Sequence, residues 1–343
     1  MANYNNHKLL VAMALAVAIV GCAAEEDEAD PTASFLIEPI DGDLYKASNA
    51  THRTVFVVTD DGIILADPIN REFSTWLKSE LDSRFGVPVR YVMYTHHHWD
   101  HASGGAVFED TATFVGHENM IGQLAMPPDH TGFPADAEGL DANGDGRIAM
   151  DEAEGAYAAN FGLFDYDGDG EITGAEATRG PLNDVRVPDL TFSDAAEVTV
   201  GGAIARSVYV GTHTHTDDMS VIVFPDESVG FMADFISIFR PPRFLRGDAP
   251  INSWIAAVRV VESQGFDIAV GGHGNHAGAE YVTYFREYLE ELRDLVAAGI
   301  DDGQTIEQLQ ESIYMDAYAE WISYDEFRES NIADMYNLLS QEF

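Results

Sequence analysis

The stretch THHHWDHASGG at 95–105 constrains this chain more than any other, because it places His96, His98, Asp100 and His101 within six positions. Neutral imidazoles and a carboxylate form the donor set that a borderline divalent cation such as zinc prefers. Four donors in one loop exceed what a single tetrahedral ion takes from it, which points to two metals sharing the loop. Upstream, 87–94 has the β-branched and aromatic content of a short buried strand. The donors are therefore expected at a strand's C-terminal end, before a turn closing at Gly104 and Gly105. His96 and His98 share one face at period two, and the chain must turn before Asp100 and His101 can converge with them. A histidine-rich solvated loop is the alternative.

Three donors downstream complete a set: His215 in GTHTHTDDMSVIVFP, Asp234 at the end of SVGFMAD, and His273 in AVGGHGNH. Each borders an expected strand. Singly, an Asp at a strand end is more often a cap or turn residue, and a lone His is usually a local hydrogen-bond partner. The order His, His, Asp, His, then His, Asp, His reads as one constellation.

On these residues the chain resembles the metallo-β-lactamase-fold hydrolases, from about 36 to 276 with one insertion, and the 95–105 loop most closely resembles that of glyoxalase II. The resemblance implies that His96, His98 and His215 hold one metal, and Asp100, His101 and His273 the other. Asp234 falls at the bridging carboxylate. Zinc β-lactamases generally carry Cys or Ser there, so Asp234 aligns the chain with thioesterases, lactonases and phosphodiesterases of the fold. The implied activity is hydrolysis of an ester, thioester or lactone by a metal-bridging hydroxide, with Asp100 in a catalytic role. The implied cofactors are two zinc ions, iron or manganese being alternatives, and the partner is a small-molecule substrate. A β-lactam hydrolase, an iron-dependent enzyme resembling sulfur dioxygenases, and a non-catalytic calcium-binding surface protein are the competing readings. Asp67, ending IILAD, is the expected partner that orients an imidazole.

A second signal lies between these halves. DANGDGRIAMDE places Asp141, Asn143, Asp145 and the carbonyl of Arg147 at alternating positions and Glu152 at the twelfth, with Gly146 at the sharp turn. DYDGDGEITGAE repeats the pattern with Asp165, Asp167, Asp169, the carbonyl of Glu171, and Glu176. Alternate oxygens closed by a glutamate fit a hard ion needing six to eight oxygens, as in an EF-hand loop. Two calcium ions are expected in an insertion over 127–188, with Ile148 and Ile172 paired across a ribbon. A stabilising role is favoured over a regulatory one. The insertion either roofs the pocket or projects away from it.

At the N-terminus, Lys8 precedes an apolar run over 9–20, too short for a membrane span and suited to a signal peptide. The run ends in IVGC, resembling a bacterial lipoprotein signal cleaved before Cys22, with an ordinary secretory signal as the alternative. The expected layout is a signal at 1–21, a lipid anchor at Cys22, and an acidic tether over 22–34. This layout implies a bacterial cell envelope protein, facing periplasm or exterior, that touches membrane only through that lipid. The formal charge of −41 repels nucleic acid and anionic membranes. A hydrophobic content of 46% still suffices for a sizeable core.

Strands are expected at 35–38, 54–59, 63–66, 87–94, 197–200, 203–210, 220–224, 229–233 and 267–270, with helices at 72–85 and 251–263. Pattern alone supports only a mixed α/β class. The resemblance implies a four-layer αβ/βα sandwich, split into 35–126 and 189–276 around the EF-hand-like helical insertion. A helical tail follows over 277–343, where Tyr281, Phe285, Tyr288, Leu289 and Leu292 recur at helical spacing. Further helices are expected at 306–313 and 329–339. Trp321 and Tyr324 fall between them, within reach of a pocket.

Overall fold

Side-chain alternation along the central strands determines the layering. The computed structural model describes residues 34–341 apart from 213, 246–249 and 275. The leader expected at 1–21, Cys22 and the expected tether up to 33 lie outside the described residues. In chain order the strands are β1 (Phe35–Asp41), β2 (Leu44–Asn49), β3 (His52–Thr59), β4 (Gly62–Leu65), β5 (Val89–Met93), β6 (Thr113–His117), β7 (Arg147–Ala149) and β8 (Glu171–Thr173). They continue with β9 (Leu190–Phe192), β10 (Ala195–Val200), β11 (Ala203–Tyr209), β12 (Ser220–Phe224), β13 (Val229–Ala233), β14 (Ile268–Gly271) and β15 (His276–Gly278). One sheet runs β1-β2-β3-β4-β5-β6-β9, a second runs β10 to β15 in sequence, and β7 pairs only with β8. Four long helices accompany them: α1 (Arg71–Phe85), α2 (Ile251–Glu262), α3 (Glu280–Asp301) and α4 (Tyr324–Gln341).

In β3, Val55 and Val57 join the core shared with the second sheet, whereas Phe56 joins the core under α1. In β4, Ile64 faces the second sheet while Ile63 and Leu65 face α1. Opposite pleat faces thus bury against different partners, as a period of two requires. Phe73, Leu77 and Leu81 form the buried stripe of α1, whose start is capped by the Asn70 side chain accepting the Phe73 N–H. On the far side, Trp254, Val258, Phe285 and Leu289 of α2 and α3 pack on the second sheet. The result is the four-layer αβ/βα sandwich, with helices outside two facing sheets.

Connections within this sandwich place several strand ends on one rim. β4, β5, β6 and β9 pair in parallel, as do β13 and β14. The chain leaves β4 just before Asp67, β5 just before the 95–105 loop, β13 just before Asp234 and β14 just before His273.

Several elements differ from the expected ones. β2, β6, β9 and β15 were not foreseen. In β2, Lys46 and Ser48 interrupt the apolar pattern although both are buried, and Lys46 Nζ pairs with Glu38 at 3.1 Å. The parallel β6 and β9 span only a few residues and depend on distant neighbours. Trp321 and Tyr324 turn inward: Trp321 stacks near Tyr288 and Tyr318 at 5.5 and 4.8 Å, and the Tyr324 hydroxyl accepts the Met315 N–H at 2.8 Å.

The segment 127–188 carries its own small core, in which Ile148 pairs with Ile172 across β7 and β8, above Tyr157, Phe161 and Phe164. Its last stretch returns to the back of the histidine loop. There Arg71 pairs with Asp184, Ser103 bridges Val185, and the Tyr94 hydroxyl donates to the Arg186 carbonyl at 2.8 Å. None of its described residues lines the cavity beside the histidine loop, so the segment buttresses that loop and does not roof it.

The C-terminal helix is tied to the same region. The Tyr288 hydroxyl donates to Asn331 Oδ1 and Asn331 Nδ2 donates to the Pro242 carbonyl, both at 2.9 Å in full burial. Asn331→Leu should leave a hydroxyl and a carbonyl unsatisfied, and lower stability in urea unfolding by about 3 kcal/mol. A change below about 1 kcal/mol would show that the bridge contributes little.

Candidate metal centre

The site is built on a carboxylate that is completely buried. Asp67 Oδ1 accepts the Thr95 N–H at 2.8 Å, and Oδ2 accepts the Thr95 hydroxyl at 2.6 Å and the His101 Nδ1–H at 2.9 Å. The hydroxyl proton of Thr95 is committed to Asp67, so its oxygen accepts from His96 Nδ1, 3.0 Å away. His96 Nε2 then carries a lone pair. That nitrogen is buried and has no hydrogen-bond partner.

Past His98 the chain makes one helical turn, Trp99–Ala102, that swings Asp100 and His101 back toward His96. The turn is anchored by the Ile69 N–H donating to the His101 carbonyl at 2.9 Å. Gly104 follows with φ +80, where a Cβ would lie 2.5 Å from the Asn70 carbonyl oxygen, so glycine is required by both conformation and space.

Two donor groups result. His96, His98, His215 and Asp234 offer atoms within 4.8 Å of one another, and so do Asp100, His101, His273 and Asp234. His98 Nδ1 and His215 Nε2 stand 3.1 Å apart, and His101 Nε2 and His273 Nε2 3.3 Å. Asp234 faces both groups, with Oδ1 at 3.2 Å from His101 and 3.3 Å from His273, and Oδ2 at 3.6 Å from His215. Space for this carboxylate depends on Gly272, where a Cβ would sit 2.7 Å from Asp234 Oδ1. All the donors proposed from sequence therefore meet at one place.

Electrostatics divides the two groups. Burial, reinforced by neighbouring imidazoles, pushes His96 well below the ordinary histidine value and lowers His98 to about 3. Burial also lowers His215. These three favour the neutral form, in which each ring has one nitrogen free to bind a cation. At His101 burial acts in the same direction, but Asp234 and Asp67 override it and raise the pKa well above the ordinary value. Asp100 and Asp234 likewise raise His273 against its burial. Burial would raise Asp234, yet His101 and His273 hold it well below the usual carboxylate range. Facing ring nitrogens, an orphaned buried nitrogen and a shared carboxylate fit a pair of divalent cations, whose charge would take the place of the imidazole protons.

Sequence reasoning missed three contributors. His52, at the start of β3, bridges His273 in backbone register and sets Nε2 at 3.4 Å from Asp100 Oδ2. His97 stays out of both donor groups and pairs through Nδ1 with the buried Asp218 at 2.8 Å, bracing the loop from the side. Arg240 lines the adjoining cavity of about 230 Å³, together with Arg243, Phe244 and Trp254. His97 lies within the histidine motif but off its ligand spacing, whereas His52 and Arg240 belong to no local motif. Only the register of β3 brings in His52, and only the path of the chain after Asp234 brings in Arg240.

Comparison with known proteins agrees with this geometry. Residues 52–273 match the metallo-beta-lactamase superfamily. Over 247 residues the chain is 23% identical to the 2,4-dinitroanisole O-demethylase subunit alpha of Nocardioides sp. (strain JS1661), covering 70% of this chain and 58% of that relative. Among solved structures, the metallo-beta-lactamase from Pontibacter korlensis aligns with TM-score 0.51 and 17% identity, over 75% of this chain and 99% of that one. The sec-alkylsulfatase Pisa1 from Pseudomonas sp. aligns with TM-score 0.59 and 14% identity, over 88% and 49%. At these identities the structural likeness establishes the fold alone.

Imidazoles must lose their protons to bind metal. Because His101 and His273 hold protons more tightly than usual, metal should stay bound at alkaline pH and be lost progressively as the pH falls through their range. Asp67→Ala should weaken metal binding by about 10- to 100-fold at fixed pH in a chelator competition. Unchanged affinity in that variant would remove Asp67 from the site's support.

Proposed function

Because this chain belongs to the metallo-β-lactamase superfamily, we propose that it uses two divalent metals to hydrolyse an ester, thioester or lactone of a small-molecule substrate. It is a metal-dependent hydrolase. The observation that carries the finer reading is Asp234, which faces both imidazole groups across 3.2–3.6 Å. A carboxylate so placed can serve two ions at once.

Bound to these donors, zinc, iron or manganese would supply Lewis acidity, ionising water near neutral pH and polarising an acyl oxygen. The remaining work falls to the chain. His96, His98 and His215 would hold one ion, and Asp100, His101 and His273 the other. Burial opposes ionisation of Asp100, and the hydrogen bond from His52, outside the donor group, helps to keep it ionised and in place. Asp67 fixes the ring of His101 by accepting its Nδ1 proton. Phe244, at 5.9 Å from the His215 ring, supplies an apolar wall beside the donors.

Ether and sulfate-ester cleavage form a second reading, favoured by the match to an O-demethylase subunit and the likeness to an alkylsulfatase. The chain spans only 58% of that demethylase subunit. Purified protein loaded with zinc or manganese should turn over at least one of a carboxylic ester, thioester and lactone, and His215→Ala should lose at least 1,000-fold in kcat/KM. Turnover confined to an aryl methyl ether or an alkyl sulfate would favour the second reading. Wild-type rates in the variant would refute both.

The same proposal assigns two calcium ions to the insertion. In its second loop Asp165, Asp167 and Glu176 offer oxygens within 4.8 Å of one another. In the first loop Asp141 accepts the Gly144 and Gly146 N–H groups, while Glu152 folds back to accept from Asn143 and Ala149. Arg147 ties the loops together, pairing with Asp169 and Glu171 at 2.9 Å each. Since the insertion stands behind the histidine loop, the assigned role is stabilisation. Calcium at a hundredfold over Kd should add about 2.7 kcal/mol to wild-type stability. Replacing Glu152 and Glu176 together by Gln should abolish most of the rise in Tm. A tenfold calcium effect on turnover, with both forms fully folded, would make the insertion a regulator.

A further inference from the structure

We infer that the substrate carries an anionic group, a carboxylate, phosphate or sulfate, that Arg240 and Arg243 bind while the bond to be cleaved lies at Asp234 and His215. The inference rests on the hydrolase reading and narrows its substrate class. Both arginines line the cavity that Asp234 and His215 also line. Arg240 Nε is buried and has no hydrogen-bond partner. Its guanidinium lies over the Phe327 ring at 4.8 Å, a contact that holds the plane of the group but leaves that N–H unsatisfied. A buried charged donor without a partner is unfavourable, and a planar oxyanion is the ligand that answers a guanidinium fork through paired hydrogen bonds.

Composition makes the placement informative. The chain has 18 Lys and Arg against 59 Asp and Glu, so carboxylate partners for an arginine are abundant. Arg84, Arg206, Arg259 and Arg286 all have one. Arg240 instead lines the metal-side cavity, its guanidinium over the Phe327 ring. The acidic surface repels anions at long range, but that repulsion is screened beyond about 8 Å in physiological salt. Capture of an anion must then be local.

The backbone is shaped for this task. Phe239 has φ +58, a left-handed conformation that a bulky residue adopts only when its surroundings impose it. Here the Ile322 N–H donates to the Phe239 carbonyl at 3.0 Å, and the ring of Phe239 packs against Tyr281 at 5.4 Å. Asn331 holds the Pro242 carbonyl, and the Leu245 N–H donates to Asp334 at 3.0 Å. The C-terminal helical region thus fixes both ends of the segment that presents Arg240 and Arg243.

The test uses metal-loaded protein and pairs of p-nitrophenyl esters differing only in the far end: glutarate monoester against its methyl-capped form, with phosphate- and sulfate-ended analogues to rank the anions. Wild type should favour the anionic member at least tenfold in kcat/KM, mostly through KM. Arg240→Ala should cut that ratio at least tenfold, and Arg240→Lys should keep part of it. A purely structural role would lower both members equally and leave the ratio intact. An absent preference in wild type, or an unchanged ratio in Arg240→Ala, overturns the inference while leaving hydrolysis standing. If no ester is cleaved, ester hydrolysis fails and calorimetry with glutarate and inorganic sulfate decides the anion site. Binding to wild type that Arg240→Ala loses supports it, whereas no binding, or binding that the variant retains, overturns it.

Discussion

Asp67 joins the scaffold to the chemistry. It stands just past the end of β4, at full burial, and receives protons from the backbone and hydroxyl of Thr95 and from His101. Three donors on one carboxylate justify burying its charge, which would otherwise be prohibitive. Through these bonds the first sheet dictates where the histidine loop begins and how His101 is turned. The Thr95 hydroxyl passes the effect to His96, exposing its Nε2 as a lone pair. A single buried anion thereby sets the tautomers of two rings.

Around that anchor, strain and charge meet on one rim. Ile69, Ala233 and Phe239 have positive φ without being glycine. Ile69 holds the turn of His101, Ala233 precedes Asp234, and Phe239 precedes Arg240. Such conformations persist only where packing over-determines them, and they gather at sites that need a side chain aimed against the local preference. Crowding of imidazoles opposite Asp100 and Asp234 is the electrostatic counterpart. The layers of the sandwich supply the rigidity that both require.

What the sequence disclosed depended on how locally each feature is encoded. The loop carrying His96, His98, Asp100 and His101 is legible because its donors are neighbours along the chain. His215, Asp234 and His273 were readable because each follows or precedes an apolar strand of ordinary composition. β2 was hidden by the buried Lys46, whose charge is answered by Glu38 from the adjacent strand. His52 reached the site only through its register against His273, and Arg240 through a segment pinned by Ile322 and Asn331 far downstream. Contacts of that kind leave no periodicity or spacing to read. The placement of 127–188 behind the histidine loop was equally invisible, since either direction of projection suits the same calcium-loop pattern.

At this rim one carboxylate is proposed to join two metals. Anomalous X-ray scattering from crystals of the metal-loaded protein tests it most directly. Two ions are expected, each at roughly 2.0–2.2 Å from its ligands, one held by His96, His98 and His215, the other by Asp100, His101 and His273, with Asp234 touching both. A single ion on three imidazoles, with Asp234 turned away from it, would contradict the account.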